Sequence, residues 1–308
     1  MMRVMSPFIL CSAFFLGSSD SPLRAETIQA KDAYPGVDLF KKGWKYDQGL
    51  DTPIDMPEAI RWYREAAGAG HPLAKARLAR IYFSGNGVEE DKKEAERLSK
   101  GVFPGVLKAA EKDDAIAQMI VGTMYADGLG VARDSEEALQ WLRKAAAQGL
   151  PLAQANLGVM YEHGIGVAAD FTKAANWFRK AADQNSAMGL AYLGDLYRKG
   201  RGVPRDECQA ARLFALGAAQ NYAHAQTNLG YLYEHGCGVE WDPCEAVRLY
   251  RSAAEQGFAV AQANVGVMYK KGFGVPQDLN EAVYWYRRAA AQGEKHAIKA
   301  LQCLCCDY

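Results

Sequence analysis

The sequence predicts an all-α protein, a right-handed α/α superhelical solenoid of about seven helix-pair repeats with a 36-residue period. Three observations predict it: a repeat of nearly constant length, a helix-start signal at the same place in each unit, and small or apolar residues at helical spacing. In such solenoids each unit packs against its neighbours along one axis. A chain of 308 residues, 49% of them hydrophobic, can form such a core.

The repeat shows in three markers that share one period. A glycine–valine pair recurs first after 43 residues and then four times after 36, and an alanine and a tyrosine keep the same spacing. Agreement of three separate registers indicates tandem repeats. The glycines are Gly87, Gly130, Gly166, Gly202, Gly238 and Gly274, and the tyrosines are Tyr46, Tyr82, Tyr125, Tyr161, Tyr197, Tyr233 and Tyr269.

Each unit is predicted to form two antiparallel helices, A and B. An aspartate begins helix A, and in five units a glutamate three residues later predicts a reciprocal capping box. Along one helix A, Ala138, Trp141 and Leu142 recur at helical spacing, so we expect the tryptophan register to be buried. The aspartates are Asp55, Asp91, Asp134, Asp170, Asp206, Asp242 and Asp278.

Glycine and asparagine mark the helix ends and one close contact. Helix A is followed by Gly149 or, in the next unit, by Asn185, residue types that tolerate a positive φ. Glycine also recurs inside helix B, as at Gly158, although it costs about 1 kcal/mol relative to alanine there. We therefore expect a neighbouring helix to approach closely at that glycine.

The repeats define the domain boundaries. Residues 26–50 are predicted to be an N-terminal capping segment with a degenerate half repeat, 51–302 the solenoid, and 303–308 a cysteine-rich tail. The unit around 88–130 is seven residues longer, and the extra residues, with Pro104 among them, fall within helix A. Because proline disrupts a helix interior, we expect a kink or a bulging loop there.

Residues 1–25 resemble a signal peptide, with Arg3 followed by a short apolar run and a small residue at Ala25. The sequence therefore predicts a periplasmic or secreted protein. The apolar run is shorter than the roughly 20 residues that span a bilayer, and no other segment approaches that length.

Cleavage after Ala25 would remove Cys11 and leave six cysteines, an even number that is consistent with disulfides in an exported protein. Cys237 and Cys244 are the favoured pair, because they close a short loop. Free thiols are the alternative. The closely spaced cysteines near the C-terminus lack the paired spacing of a zinc site, so no metal is expected.

Composition and motifs argue against several functions. The 36 basic and 36 acidic residues leave no net charge, so no bulk field favours nucleic acid or anionic lipid. No nucleophile elbow, phosphate-binding loop or zinc-protease helix is present, and the five histidines are scattered. We expect no enzymatic activity and no cofactor. The sequence does not indicate an oligomeric state.

The best candidate binding surface is the face of helix A opposite the buried stripe. In a stack of units this face repeats, and arginine dominates two of its rows, with Ala215 as the interruption. Arginine suits bidentate contacts with carboxylates, so the ladder is expected to bind an acidic partner surface. The alternative is that these residues only solvate the helix. The ladder comprises Arg61, Arg64, Gln140, Arg143, Asn176, Arg179, Arg212, Arg248, Arg251, Tyr284 and Arg287.

The repeat resembles the Sel1-like family, relatives of the tetratricopeptide repeats. Residues 174–182, Ala-Ala-Asn-Trp-Phe-Arg-Lys-Ala-Ala, and the following Leu193-Gly194 and Gly202-Val203 carry the resemblance, which extends over about residues 36–302. The family implies an α solenoid that binds proteins. Exported members are envelope adaptors, regulators of sensor kinases, or immunity proteins that neutralise phospholipase effectors of type VI secretion. A polysaccharide or peptidoglycan binder ranks lower.

Overall fold

The computed structural model describes residues 34–306, which form sixteen α-helices and no strand. The signal peptide expected over residues 1–25 lies outside the described residues, as does the start of the capping segment. None of the described helices has the length and apolar character needed to cross a membrane.

The helices alternate between the two kinds that the repeat predicts. The B helices are α1 Val37–Gln48, α3 Pro72–Ser84, α6 Ala115–Asp127, α8 Pro151–His163, α10 Ala187–Lys199, α12 Ala223–His235, α14 Ala259–Lys271 and α16 Lys295–Cys306. The A helices are α2 Met56–Gly68, α4 Lys92–Ser99 with α5 Phe103–Ala110, α7 Ser135–Ala147, α9 Phe171–Asp183, α11 Glu207–Ala219, α13 Pro243–Glu255 and α15 Leu279–Ala291. The predicted α solenoid is confirmed. Helix α16 continues four residues into the segment assigned to the tail.

Packing between the helices shows which layer lies inside the curve. Each helix packs against the next in sequence, and consecutive B helices such as α8, α10 and α12 also pack directly against one another. Consecutive A helices show no comparable contact. Helices on the inside of a curved stack lie closer together, so the B helices line the concave surface and the A helices form the outer layer.

The predicted aspartates cap the A helices. Asp170 accepts a hydrogen bond from the backbone N–H of Lys173 at 2.9 Å, and the other six units repeat this bond. The return half of the predicted capping box is wrong. In a unit that has the glutamate, the backbone N–H of Asp242 instead donates to the carbonyl of Tyr233 at 3.0 Å, and the N–H of Asp170 bonds Tyr161 in the same way. Three of the five glutamates form ion pairs with arginines of their own helix, as Glu245 does with Arg248.

The A helices end as expected. Gly149, Asn185, Asn221 and Gly257 all have positive φ, between 60° and 93°. Each of these residues is followed after one position by a B helix, so the left-handed residue produces the sharp reversal within each unit.

The glycine inside helix B faces an aromatic ring of the next A helix, as expected. A Cβ added to Gly158 would lie 2.5 Å from Cε1 of Phe178, and Gly194, Gly230 and Gly266 meet a ring in the same way. Phe178 is fully buried. The close approach of α8 and α9 therefore depends on the absence of a side chain at this position.

The tryptophan register is less buried than predicted. Trp62, Trp141 and Trp177 are half-buried, and Trp285 alone of the four is buried. The core position is the following residue, because that side chain faces the glycine of helix B. It is filled by Tyr63, Leu142, Phe178, Phe214, Tyr250 and Tyr286.

Buried glutamine side chains link four of the B helices to the next A helix. The side-chain amide of Gln148 donates to Oε1 of Gln118 at 2.8 Å, and Gln118 donates to the carbonyl of Ala110 at 3.2 Å. Both polar ends of the buried Gln118 are thereby satisfied. The same link joins Gln184 to Gln154, Gln256 to Gln226, and Gln292 to Gln262.

The long unit breaks helix A into two helices. α4 ends at Ser99, Gly101 has a φ of 71°, and α5 begins at Phe103. Pro104 lies in the first turn of α5, where its missing N–H leaves no bond unmade. The predicted disruption is confirmed, and it takes the form of a complete break.

The superhelix closes on itself after one turn. The backbone N–H of Ile54, in the first unit, donates to the carbonyl of Gln220 at 2.9 Å. The side-chain amide of Asn221 donates to the carbonyl of Ile54, also at 2.9 Å. We call this pair of bonds, between segments 167 residues apart, the turn stitch.

Candidate protein-interaction surfaces

The arginine ladder lies on the outer layer of the superhelix. All its members are on A helices and are exposed, except for Arg179, which is half-buried. The A helices project equivalent residues outwards at each step of the stack, so the two predicted rows exist as a surface. Its role in binding stays a prediction.

The first row is held in place by the repeat tyrosines. Arg143 donates to the hydroxyl of Tyr161 at 3.0 Å, and Arg179 donates to that of Tyr197 at 3.2 Å. Arg64 bonds Tyr82 and Arg251 bonds Tyr269 in the same way. Each tyrosine lies on the B helix of the same unit, so one contact orients four guanidinium groups alike.

The second row is largely neutralised by its own helix. Arg61 forms an ion pair with Glu58 at 2.7 Å and with Glu65 at 3.4 Å. Arg248 pairs in the same way with Glu245. The hydrogen bond from Arg61 lowers the pKa of Glu58 below its ordinary value. These charges therefore contribute less net positive potential than the Arg143 row does.

Lysines on the outer layer cover the half-buried tryptophans. The ammonium of Lys144 lies 4.0 Å from the ring centroid of Trp141, and that of Lys180 lies 4.1 Å from Trp177. These are cation–π contacts. Sequence analysis missed them because it assigned the tryptophans to the core. They add positive charge beside Arg143 and Arg179.

The concave surface carries a polar cluster that sequence analysis also missed. Arg80 on α3 forms an ion pair with Asp127 at 3.3 Å and donates to Asn156 at 3.1 Å. Further along, His224 lies 2.6 Å from Asp195. These side chains join three or more units across the inside of the curve. Arg80 and Asp195 occupy the same position in their respective B helices. Opposite charges therefore occur at one register, and each residue pairs with a different neighbour.

The pKa values of Arg80 and Asp195 are set by two opposing effects, burial and pairing with an opposite charge. Burial lowers the pKa of Arg80, which the carboxylate of Asp127 partly offsets. Burial is the largest effect on Asp195 and raises its pKa, but the hydrogen bond and charge of His224, together with Lys199 and Arg198, outweigh burial in sum, so the net direction is down. The charged form of Asp195 is therefore favoured, and its contact with His224 joins two neighbouring B helices of the inner layer.

The predicted Cys237–Cys244 disulfide is not formed in the structure. Both residues are free thiols, as are Cys208 and Cys303. Cys237 packs against the apolar cluster that contains Phe214, while Cys244 lies exposed in the first turn of α13. The two side chains therefore occupy different environments. Within residues 34–306 no group of three or more potential ligands is arranged to hold a metal ion.

Several exposed aromatic residues lie in the last two units, in the loops before the A helices and on α15. Trp241 is 56% exposed and meets Phe273 of the next unit edge to face, with ring centroids 5.9 Å apart. Tyr284, in the ladder, is 51% exposed. Of these, sequence analysis singled out Tyr284 alone, since Trp241 stands where the equivalent positions hold Arg133 or Ala169.

Comparison with known proteins assigns the repeat. The Sel1 repeat model matches residues 43–71, 72–100, 115–150, 151–186, 187–222, 223–258 and 259–294. The chain belongs to the Sel1 repeat family. Each matched unit from 115 onwards begins at a B helix and ends after the next A helix, and the unmatched stretch 101–114 contains α5. Proteins built of Sel1 repeats are typically protein-interaction scaffolds.

One curated protein, chitin synthase regulatory factor 3 of Schizosaccharomyces pombe, is 32% identical over 130 residues. That match spans 39% of this chain but 13% of the yeast protein, so the likeness covers a small part of that protein.

Three solved structures share the fold. A Sel1 repeat protein from Oxalobacter formigenes is 33% identical, with a TM-score of 0.57, over 74% of this chain and 86% of that one. A protective antigen of uropathogenic Escherichia coli is 31% identical, with a TM-score of 0.52, over 89% of this chain and 57% of that one. The immunity protein Pa5087 of Pseudomonas aeruginosa is 20% identical, with a TM-score of 0.50, over 73% of this chain and 83% of that one. This likeness shows the fold alone.

Proposed function

We propose that this Sel1 repeat protein is a scaffold that binds an acidic surface of a partner protein along the outer face of its A helices. The observation that carries the proposal is the row of guanidinium groups that tyrosine hydroxyls hold in one orientation. A tyrosine hydroxyl is neutral, so Arg143 and Arg179 keep their full positive charge. Arg61 and Arg248, paired with glutamates, do not.

Fixing the guanidinium groups before binding favours affinity. Each immobilised side chain otherwise costs about 0.5–1.5 kcal/mol of conformational entropy on association. One N–H of Arg143 is used by Tyr161, and the others remain available to a carboxylate. A carboxylate-bearing partner would meet such a group at four steps of the stack, with Lys144 and Lys180 adding positive charge alongside.

The proposed location is the periplasm or the outside of the cell. The support is the apolar N-terminal run and the small residue at Ala25. Fractionation of cells that express the full chain is expected to place it with envelope markers in a form shortened at the N-terminus. Full-length protein in the cytosol would remove this part of the proposal.

Charge reversal of the row tests the binding surface. The variant R143E/R179E/R251E should bind the partner, isolated by affinity capture from an envelope extract and then purified, at least tenfold more weakly. The matched control Y161F/Y197F/Y269F removes the three hydrogen bonds but keeps the three charges, and should weaken binding less than the charge reversal does. Unchanged affinity in the arginine variant, with helical content preserved, would assign the row to solvation.

The second candidate is an immunity protein that neutralises a phospholipase effector of type VI secretion. The support is that a solved immunity protein has the same fold. The test is co-expression with a candidate effector: protection from its toxicity, lost in R143E/R179E/R251E, would make the effector the acidic partner. Protection that the arginine variant retains would place the contact on another surface.

A further inference from the structure

The turn stitch creates a cleft between the two ends of the superhelical turn. One wall consists of helix ends and loops in the first two units, including Asp55 and Glu90, and the other of helix ends and loops in the last three, including Glu255 and Val260. The space between them is about 860 Å³, within the range of binding clefts. Helix ends and the loops between them line it, and no residue of the ladder is among its lining residues.

All the described charged residues that line the cleft are acidic. Its lining includes the carboxylates of Asp55, Glu89, Glu90 and Glu255, and none of the described lining residues is lysine, arginine or histidine. Asp55 caps α2, and Glu90 has an ion pair with Lys92 at 2.9 Å. Glu89 and Glu255 are exposed and have no ion-pair partner among residues 34–306. Two carboxylates on opposite walls are thus left for a cation.

The arrangement of the cleft suits the long cationic side chain of lysine or arginine better than a metal ion. The described acidic residues do not converge in a group of three that could coordinate a metal. Apolar side chains lie between the carboxylates: Val260 is 48% exposed, and Phe258 is half-buried beside it. A lysine or arginine side chain can place its charged end near a carboxylate and its aliphatic stem on such a surface.

We propose that this cleft binds an extended segment of a partner protein in which lysine or arginine alternates with apolar residues. The inference rests on the proposed role as a protein-binding scaffold, but it uses a second surface of opposite charge. A partner with an acidic face and a basic extension would engage both surfaces, and the linkage would raise its apparent affinity.

The test uses the full chain and a fluorescein-labelled peptide of alternating lysine and valine, with a glutamate–valine peptide as the control probe. Fluorescence anisotropy is expected to show salt-sensitive binding of the lysine peptide and none of the glutamate peptide. The double variant E89Q/E255Q should bind the lysine peptide about five- to tenfold more weakly, because two exposed charge pairs are lost. The matched control E111Q/E136Q changes net charge equally, at exposed positions outside the cleft, and should change affinity less than twofold.

Three results would overturn the proposal. One is an equal loss of affinity for the lysine peptide in the two double variants, which would indicate an effect of net charge. Another is equal binding of the lysine and glutamate peptides. The third is markedly tighter peptide binding after deletion of residues 26–33, which would identify the chain's own N-terminal segment as the occupant. In R143E/R179E/R251E the lysine peptide should still bind, so failure of the cleft and failure of the ladder are distinguishable.

Discussion

The close approach of α8 and α9 makes Gly158→Ala the most informative single substitution. The new Cβ would lie 2.5 Å from Cε1 and 2.6 Å from Cδ1 of Phe178, well inside van der Waals contact. The ring has little room to retreat, because it is fully buried and stacked on Tyr192 with centroids 5.2 Å apart. One helix must therefore move away from the other.

The magnitude follows from two opposing effects. Alanine favours the helix by about 1 kcal/mol relative to glycine. Overpacking of a buried site costs about 1–3 kcal/mol. We expect Gly158→Ala to lower the free energy of unfolding by about 1 kcal/mol. Gly68→Ala is the matched control, since a Cβ there meets nothing within 4 Å, and it should raise the free energy of unfolding by up to about 1 kcal/mol.

Urea denaturation followed by far-UV circular dichroism measures both variants under identical conditions. A double-mutant cycle with Phe178→Leu completes the test. The smaller side chain should make Gly158→Ala less costly, with a coupling of about 0.5 kcal/mol or more. If Gly158→Ala stabilises the protein as much as Gly68→Ala does, the glycine is not required for helix packing and the reasoning is wrong.

Two further predictions concern the N-terminal units and the turn stitch. His71 is fully buried, and burial lowers its pKa from 6.5 to about 4. The folded state therefore takes up a proton less readily than the unfolded state. The free energy of unfolding should be highest above pH 6.5 and fall by about 3 kcal/mol as the pH decreases towards 4. Denaturation across that range checks this, and His71→Asn, which retains a capping side chain, should flatten the profile. Asn221→Gly keeps a residue that accepts the φ of 63° but removes the bond to Ile54, together with the two bonds that Asn221 Oδ1 accepts from Gln226 and Gln256. It should cost about 1–2 kcal/mol and increase the radius of gyration in X-ray scattering. Asn185→Gly, at the equivalent position, loses an exposed bond from Gln220 but no bond to the first unit, so it should cost less and leave the radius of gyration unchanged.

Local features were predictable from the sequence because they depend on neighbouring residues. The cap at Asp170 and the left-handed Asn185 follow from residue type and position, and both are confirmed. The packing of Gly158 was also predictable, since a glycine that recurs at a helical register implies a close neighbour. The break around Pro104 followed from the steric properties of proline.

Other features depend on how the units stack, and a single repeat does not encode that. The N–H of Asp170 bonds the carbonyl of Tyr161 because α8 places it there, which no capping rule predicts. The curvature brings Ile54 to Asn221 and creates the cleft. The inner cluster around Arg80 arises at positions where the units differ, whereas sequence analysis followed the positions where they agree.

The central claim is that the outer face of the A helices is the recognition surface, and photo-crosslinking in intact cells tests it most directly. A photoreactive residue would be introduced at Gln140 or Asn176, both exposed on the outer layer, and at Tyr231, exposed on a B helix. We predict a crosslinked complex from the two outer positions and none from Tyr231. A complex formed from Tyr231, with none from Gln140 or Asn176, would place recognition on the inner layer and contradict the account.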